Sequence, residues 1–513
     1  MKYAKLVLLL VCLGLGGCEE VIDLYPQSNL NTGTYYTNLE EVRAGLTGCY
    51  NGMQAPMATE WQLTELRSDN SKQGVPASTS STNRDLSDLD MFLPATIHTG
   101  IYNYWLSTYN NIRNANIILQ RLGVIYDPAA GAISLEAIDI PISETDRKQL
   151  AGEALFIRSY HYFNLVRLFG GVFLVHTPIS AEGAKSINRS GAADIYKLIE
   201  ADLKTATTFL NPTRFAQITG VNIGRANHWA AKALLGKVYL TQNKKADAVT
   251  LFKDVISNSG YGLQSSYANV FSVTNEMNSE ILFAVRYKAG GLGLGSGFGN
   301  SFAPLNSGSS VINGSGQGYN YPTSELNALF ATNDLRRATN IATFGSGAAT
   351  ILYVRKYLSP VVLTNDGESD WPIIRFSDVQ LMLAEAQGFV PESITLINQV
   401  RARAGLPALP ETVNTVAAFE QALAQERRLE LAFENHRYFD LLRYNTTLTT
   451  IKAIDVLRNH FAAEYATHYA QYPAPILTLS ELQANATTEK LLLPIPQREI
   501  DLTNGSIPQN PGY

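Results

Sequence analysis

The strongest hydrophobic pattern in the chain lies between Ser143 and Val175. Apolar side chains recur there at helical spacing along three stripes that cover most of a helix circumference: Leu155, Tyr162, Val166 and Phe169; Ala154, Ile157 and Leu168; Phe156, Tyr160 and Phe163. Ser143 is placed to cap the first turn, and Gly170 supplies a left-handed stop. Because a helix that is apolar nearly all round cannot face water, the pattern predicts that other helices surround it.

Two arginines, Arg158 and Arg167, lie among these aromatic residues. Buried guanidinium groups form ion pairs and stack on rings. We therefore interpret both arginines as groups that fix helix packing rather than as catalytic groups.

A partial tetratricopeptide signature follows further along the chain. The L-G-x2-Y and A-x3-F spacings of that repeat are reproduced by Leu235, Gly236, Tyr239, Ala248 and Phe252. Lys232 stands where the repeat expects an aromatic residue, so the match is incomplete. Residues 375–388 with 392–404 form another predicted helix pair, and the central helix with 192–210 a third. Because one pair cannot bury its own faces, the sequence predicts an all-α, mainly helical fold of stacked pairs that form a superhelix with long loops.

Three further segments give definite expectations. Residues 67–94 are rich in Ser, Asn, Asp and Gly and predict a long surface loop. Residues 286–322 are rich in Gly and Ser, which predicts an insertion without a helix. We interpret this insertion as a ligand-facing loop because it carries four aromatic residues, with a disordered linker as the alternative: Phe298, Phe302, Tyr319 and Tyr321. Residues 416–445 predict one long helix.

The N-terminus carries the pattern of an exported lipoprotein. Lys2 and Lys5 precede an apolar run over residues 6–15, which is too short for a membrane span and predicts a signal peptide at 1–17. The sequence Leu-Gly-Gly-Cys ending at Cys18 resembles the bacterial lipobox, so Cys18 is the predicted site of lipid attachment. An ordinary secreted protein is the alternative. Residues 18–37 then predict a tether.

Composition narrows the classes of function. The formal net charge is −5, and the sequence shows no basic footprint, so nucleic acid is not an expected partner. The sequence contains no GxGxxG, GxxxxGK[ST] or GxSxG motif, and therefore gives no support for a phosphate cradle or a simple serine hydrolase. No cofactor is predicted.

Two clusters combine residue types that catalytic sites use. Carboxylates that could serve glycoside hydrolysis recur every four residues at Glu426, Glu430 and Glu434. Arginines interleave with these acids, which favours structural ion pairs instead. Side chains that could ligate zinc share a helix face at His460, Glu464 and His468. Because HExxH is absent, we expect a solvated face there. The chain is therefore not predicted to be an enzyme, and a glycan hydrolase is the competing class.

Eight segments, taken together in their order and spacing, carry a family resemblance: SYHYFNLVRLFGGVFL, RANHWAAKALLGKVYL, SEILFAVRY, DLRR, RFSDVQLMLAEA, INQVRARAGLP, QERRLELAFENHRYFDLLR and LLPIPQREI. They resemble the SusD/RagB family of Bacteroidetes outer-membrane lipoproteins over essentially the whole mature chain. The resemblance implies a helical superhelix on four tetratricopeptide-like pairs, lipid-anchored at the cell surface. It implies an N-terminal region at 38–285, the insertion at 286–322 and a C-terminal region at 323–513.

The resemblance also implies a function without catalysis. Members of the family capture nutrients, commonly oligosaccharides and sometimes peptides, and close over a SusC-like TonB-dependent transporter. By position, the segment ending at Tyr102 and Asn103 and the insertion with Phe298, Tyr319 and Tyr321 correspond to the ligand-binding loops. Aromatic rings stack on sugar C–H faces, and amides bind hydroxyls. The alternative is that these rings pack their own loops or touch the transporter. Inside the insertion, after its first residue, Lys288 is the only cation, so we expect a neutral glycan.

Overall fold

A computed structural model of the chain describes residues 35–503 and 505–513. The predicted signal peptide, Cys18 and most of the predicted tether lie outside these residues. Helices make up 51% and strands 8%, which confirms the mainly helical class. The helices are α1 (Leu39–Asn51), α2 (Gln54–Thr64), α3 (Ser81–Asp90), α4 (Thr99–Arg121), α5 (Glu144–Phe169), α6 (Ala181–Ala184), α7 (Ala192–Phe209), α8 (His228–Thr241), α9 (Lys245–Asn258), α10 (Tyr267–Val270), α11 (Phe298–Phe302), α12 (Ser324–Leu329), α13 (Arg336–Asn340), α14 (Phe376–Gln387), α15 (Pro391–Arg403), α16 (Val416–Glu430), α17 (Arg437–Thr447), α18 (Ala453–Glu464), α19 (Leu479–Asn485) and α20 (Gln497–Leu502).

The strands pair in twos and serve as clips between distant segments. They are β1 (Ser71–Lys72), β2 (Val124–Asp127), β3 (Ala132–Leu135), β4 (Val172–Phe173), β5 (Arg189–Ser190), β6 (Ile281–Val285), β7 (Tyr321–Pro322), β8 (Ile341–Phe344), β9 (Ile351–Val354) and β10 (Trp371–Arg375). All pairs are antiparallel: β1 with β7, β2 with β3, β4 with β5, β6 with β10, and β8 with β9. In the first pair Lys72 lies opposite Tyr321, which joins the segment before α3 to the end of the insertion.

Helix α5 is the central helix that the sequence predicts. The Ser143 hydroxyl accepts a hydrogen bond from the backbone N–H of Asp146 at 3.1 Å, and Gly170 ends the helix with a φ of 71°. Every residue from Leu150 to Val166 is buried. Helices α1, α4 and α7 pack around it, so the predicted enclosure is confirmed.

The two arginines of α5 have the packing roles expected of them. Arg158 makes a bidentate ion pair with Asp202, at 2.8 Å from Nε and 2.7 Å from Nη2. The guanidinium of Arg167 lies 3.8 Å from the ring centroid of Phe163 and 3.5 Å from that of Phe439.

In the described part of the chain, no helix is both long and apolar enough to cross a membrane.

Helices stack on one another along the second half of the fold. Helix α7 packs on α8, α8 on α9, α9 on α14, and α14 on both α15 and α16. Ala248 and Phe252 of α9 are fully buried. A Cβ atom on Gly236 would lie 2.5 Å from Cε1 of Phe252, so a glycine is what lets α8 and α9 approach. The predicted tetratricopeptide-like pair α8–α9 and the pair α14–α15 are therefore confirmed.

The prediction of a surface loop at 67–94 is wrong for residues 67–71 and 81–90 and agrees with the structure at residues 74–80, which are partly or fully exposed and lie outside helices and strands. Residues 67–71 are almost completely buried, and residues 81–90 form α3, whose N-terminus is capped by Ser80. Asp69 is the partner of two arginines from the far end of the chain, at 3.1 Å from Arg428 and 2.7 Å from Arg437. The polar composition of residues 67–71 thus reflects buried hydrogen bonds and ion pairs, whereas the polar residues from 77 to 84 are mostly exposed to water.

The single long helix predicted at 416–445 is also wrong, because α16 ends at Glu430 and α17 begins at Arg437. Between them Phe433 and Asn435 have left-handed backbones, with φ of 64° and 62°. The backbone N–H of Asn435 donates to Glu65 at 2.6 Å, and such a long-range contact leaves no signal in local periodicity.

Candidate ligand-binding site

The aromatic residues of the insertion are mostly part of the core. Phe298 begins α11, a short helix that the sequence did not predict, so the expectation of no helix there is wrong. Its ring lies 4.6 Å from that of Trp371 and is 3% exposed. Tyr321 is 6% exposed, and its hydroxyl accepts a hydrogen bond from the N–H of Leu305 at 3.2 Å. In this structure neither ring has a face open to a ligand, and both hold the insertion against the core.

Tyr319 is the aromatic candidate of the insertion that remains partly exposed. Its backbone N–H donates to the carbonyl of Ser301 at 2.9 Å. The adjacent Gly318 touches the segment before α3, because a Cβ atom there would lie 3.0 Å from Cγ2 of Val75. The end of the insertion and the approach to α3 are therefore neighbours.

Tyr102 and Asn103 lie in the first turns of α4. Asn103 is exposed and Tyr102 is half-buried, with the guanidinium of Arg498 5.4 Å from its ring centroid. The N–H of Tyr102 donates to the carbonyl of His98 at 3.1 Å, and the His98 ring contacts the carbonyl of Asp85 at 2.8 Å. These two candidates thus lie one helical turn from a residue that touches α3.

A groove of about 580 Å³ lies along α3, and we call it the α3 groove. One wall is formed by residues 78–93 and the other by residues 469–482. Its polar lining comes from Ser78, Thr79, Arg84, Asp85, Ser87 and Asp88. Its apolar lining comes mainly from Met91, Leu93, Tyr472, Pro473, Pro475 and Leu477.

A single buried carboxylate, that of Asp90, holds the two walls together. It accepts hydrogen bonds from the hydroxyl of Tyr469 at 2.9 Å and from that of Tyr472 at 3.0 Å, and it contacts His468 at 2.7 Å. Burial by itself would raise the pKa of Asp90, but the charge and hydrogen bond of His468, together with the hydrogen bond from the backbone N–H of Gln73, hold the pKa below its ordinary value. The floor of the α3 groove is therefore fixed before any ligand binds.

The charged residues at the mouth of the α3 groove are mixed in sign. Arg84 is exposed, while Asp85 and Asp88 are half-buried. Burial raises the pKa of Asp88, and the nearby His98 opposes that rise. Two carboxylates and one guanidinium provide hydrogen-bond acceptors and donors beside the apolar side chains of Met91, Leu93 and Pro475. Such a combination binds polar molecules that carry many hydroxyl groups.

The solvated face expected for His460, Glu464 and His468 is wrong, because all three are at most 2% exposed. Glu464 pairs with Lys72 at 2.6 Å, and His468 contacts Asp90. Within residues 35–503 and 505–513, no group of three or more His, Cys, Asp or Glu side chains is arranged to hold a metal ion. These side chains therefore make three different buried contacts: Glu464 with β1, His468 with α3, and His460 with the hydroxyl of Tyr469 at 3.0 Å.

The carboxylates at four-residue spacing form a buried ion-pair network. Glu430 is fully buried between arginines from three other segments: Arg336, Arg375 and Arg403. Burial opposes ionisation of Glu430, but the arginines hold its pKa well below the ordinary value. The structural interpretation is confirmed, although these partners come from elsewhere in the chain and not from the interleaved arginines.

Two family models match consecutive parts of the chain. The model described as starch-binding associating with outer membrane matches residues 22–240, and the model described as SusD family matches residues 320–513. The chain belongs to the SusD family. Residues 241–319, which include most of the insertion, lie between the two matched regions.

Relatives of this SusD-family chain share its whole length at low identity. SusD-like protein P25 of Formosa agariphila is 26% identical over 522 residues, which cover 91% of this chain and 94% of the relative. A solved structure called laminarin binding SusD-like protein is 25% identical with a TM-score of 0.71, and the match covers 93% of this chain and all of the other. Surface glycan-binding protein A from Bacteroides fluxus is 21% identical with a TM-score of 0.74, over 92% of this chain and 99% of the other.

Sequence reasoning missed the residues that line the α3 groove of this SusD protein. Ser80 is a helix-capping residue type and precedes α3, so the helix itself had a local signal. The opposite wall had none, since Tyr472 meets α3 across 382 positions of sequence through Asp90.

Proposed function

We propose that this SusD-family chain binds a neutral oligosaccharide in the α3 groove at the cell surface and delivers it to a SusC-like TonB-dependent transporter. The observation that carries the proposal is the lining of the α3 groove, which combines carboxylates, hydroxyls and apolar side chains in about 580 Å³. Capture of a glycan is supported by the relative at 25% identity, whose name says that it binds laminarin.

The charges of the α3 groove support a neutral ligand over an acidic one. Asp85 and Asp88 line the groove together with Arg84, so an acidic glycan would meet more negative than positive groups. Like charges brought together at close range repel strongly in a partly desolvated site. Sugar hydroxyls, by contrast, donate to carboxylates without a charge penalty.

Three residues beside the groove extend the proposed binding surface. Asn103 presents an exposed amide, Tyr102 a half-buried ring, and Tyr319 a partly exposed ring at the edge of the insertion. Phe298 and Tyr321 take no direct part in this proposal, because burial leaves their rings no free face. We assign them the role of holding the insertion in place.

The first experiment compares laminarin binding by the wild type and two aspartate variants, using isothermal titration calorimetry. Asp88→Asn removes one acceptor charge from the groove, and a hydrogen bond to a charged group contributes about 1.5–3 kcal/mol, so we expect binding at least about tenfold weaker. Asp247→Asn is the matched control, because Asp247 is exposed on α9 and lines no part of the groove.

Several outcomes of this experiment would contradict the proposal. If wild type and Asp88→Asn bind laminarin with equal affinity, the binding site lies outside the α3 groove. If a panel of neutral glycans is not retained but peptides are, the ligand class is wrong and the chain is a peptide carrier. If the purified protein cleaves the glycan, the protein is a glycan hydrolase and not a binding protein.

A second pair of variants tests the surface beside the groove. Asn103→Ala removes an exposed amide from the first turns of α4, and Asn110→Ala removes an exposed amide two turns later on the same helix. We expect weaker laminarin binding for the first variant and unchanged binding for the second. Equal affinities would remove Asn103 from the site.

The proposed transporter partner has a candidate contact surface. Three apolar residues on adjoining loops are exposed, at 65%, 84% and 52%: Leu292, Val362 and Leu363. The loops touch, because a Cβ atom on Gly291 would lie 3.3 Å from Leu363. Replacing all three by serine should reduce co-purification with the transporter from outer membranes and leave laminarin binding unchanged. Undiminished co-purification would exclude this surface as the contact.

A further inference from the structure

A second groove, which we call the arginine groove, lies between residues 309–313 of the insertion and the β8–β9 hairpin. Its volume is about 820 Å³. Two arginines, Arg337 and Arg355, line it together with hydroxyl and amide groups, and no acidic side chain among the described residues does so. Since the whole chain has a net charge of −5, this groove is a local exception to the charge of the protein.

Neither arginine of this groove is neutralised by a carboxylate in the part of the chain that the structure describes. Arg337 donates through Nε to the side chain of Asn327 at 3.1 Å, and its two Nη groups have no partner among those residues. The guanidinium of Arg355 likewise makes no hydrogen bond to them. This differs from the buried arginines nearby, since Arg336 and Arg375 each pair with several carboxylates.

The backbone that carries the two arginines is held firmly. Each has a sequence neighbour, Arg336 or Lys356, that is buried and paired with carboxylates of the core, those of Asp334, Glu426, Glu430 and Glu434. The N–H of Arg355 also donates to the carbonyl of Asn340, at the end of α13, at 2.9 Å. The backbone positions of both arginines are therefore fixed by buried ion pairs of their neighbours, while the guanidinium groups are left available.

Hydrogen-bond donors surround the two cations. Tyr353 lies on β9, two residues before Arg355, and it also lines the groove. Burial raises the pKa of Tyr353, so its phenol stays protonated at neutral pH and can donate. Ser309 and Thr343 add hydroxyl groups to the lining.

We propose that the arginine groove is a second binding subsite, independent of the α3 groove, for glycans other than its neutral ligand; it recognises an oxyanion substituent, a carboxylate or a sulfate ester. Guanidinium groups bind both oxyanions through paired, charge-assisted hydrogen bonds. The proposal rests on the proposed function in taking the ligand to be a glycan. The expectation of a neutral ligand was based on Lys288 as the only cation inside the insertion. Lys288 pairs with Glu368, and the available cations of the arginine groove come from outside the insertion.

The test measures binding of three polymers to the mature full-length chain by calorimetry: polygalacturonate for carboxylates, dextran sulfate for sulfate esters, and laminarin as the neutral polymer. The double variant Arg337→Gln, Arg355→Gln is compared with Arg113→Gln, Arg214→Gln, which removes the same charge from two exposed arginines elsewhere. We expect the first variant to bind one of the acidic polymers at least about tenfold more weakly, because two charge-assisted contacts are lost. The control variant should bind like wild type, and laminarin binding should not change in either.

The outcomes separate this inference from the proposed function. If wild type binds laminarin but neither acidic polymer, the arginine groove is not a subsite and the proposed function stands. If wild type binds an acidic polymer but no neutral glycan, the neutral ligand is wrong and the subsite stands. If both double variants lose the same affinity for the acidic polymers, the polymers are attracted by net charge alone and the proposal is wrong. Loss of transporter co-purification without any effect on glycans would also overturn the proposal and make the groove a protein contact. Melting temperatures of both variants confirm that each is folded.

Discussion

The contact between Gly236 and Phe252 gives a prediction whose sign is set by the structure. Alanine is favoured over glycine inside a helix by about 1 kcal/mol, so Gly236→Ala should be stabilising if nothing else changed. However, the new Cβ atom would meet three atoms of the Phe252 ring at 2.5, 2.9 and 3.0 Å. Phe252 is fully buried and cannot turn out into solvent. Overpacking of this kind costs about 1–3 kcal/mol, so we expect a net loss of stability.

A matched variant removes helix propensity from the comparison. Gly48 lies inside α1 and is exposed, and a Cβ atom there would meet nothing within 4 Å. Gly48→Ala should therefore gain about 1 kcal/mol, and the difference in unfolding free energy between the two variants equals the overpacking cost of about 1–3 kcal/mol. Urea unfolding measures both. Adding Phe252→Leu to Gly236→Ala should recover part of the loss. A Gly236→Ala protein as stable as Gly48→Ala would refute the packing of α8 on α9.

Three other predictions concern buried charge and the anchor. Burial lowers the pKa of His161 to about 3. Below the ordinary histidine pKa of about 6.5, the folded chain therefore binds fewer protons than the unfolded chain, and the free energy of unfolding falls as the pH falls. Between pH 7.5 and 5.0 we expect His161→Gln to lose about 2 kcal/mol less unfolding free energy than wild type; equal losses would contradict this. Glu430→Gln should destabilise the fold by about 3–5 kcal/mol, because Arg375 and Arg403 lose a buried partner, and an unchanged melting temperature would refute the network. Cys18→Ser should release the folded protein from membranes in a strain without the transporter, and continued membrane association would exclude the lipid anchor.

The sequence was sufficient to predict those helices whose start, end and packing are determined by residues within the helix itself. Helix α5 begins after Ser143 and ends at Gly170 as expected, because a capping hydroxyl and a left-handed glycine act within one turn. The pair α8–α9 was also predictable, because the tetratricopeptide spacing places a small residue, Gly236, opposite a large one, Phe252.

The errors arose where distant parts of the chain decide the structure. Residues 67–71 look like a loop by composition, yet Asp69 is buried because Arg428 and Arg437 reach it from more than 350 positions away. The break between α16 and α17 has the same cause, a hydrogen bond from Asn435 to Glu65. Long-range ion pairs and hydrogen bonds of this kind leave no periodic pattern in the sequence.

The candidate site was predicted in part for similar reasons. Exposure of Asn103 and partial exposure of Tyr102 agree with their position at the start of an amphipathic helix, whereas Phe298 was expected to face a ligand and is packed on Trp371. A glycine-rich segment with aromatic residues has the same composition whether its rings face a ligand or the core. The α3 groove depends on the meeting of two distant walls at Asp90, which the sequence did not indicate.

Glycan binding in the α3 groove can be tested directly by hydrogen–deuterium exchange of the full-length chain with and without laminarin, or with whichever neutral glycan the protein retains. We expect slower exchange on binding in the two walls of the α3 groove, residues 78–93 and 469–482, and at the start of α4 around Asn103. Peptides from α8 and α9, which lie in the helical core, should exchange equally in both states. If the glycan binds and no peptide of the α3 groove is protected, the glycan site does not lie in this groove.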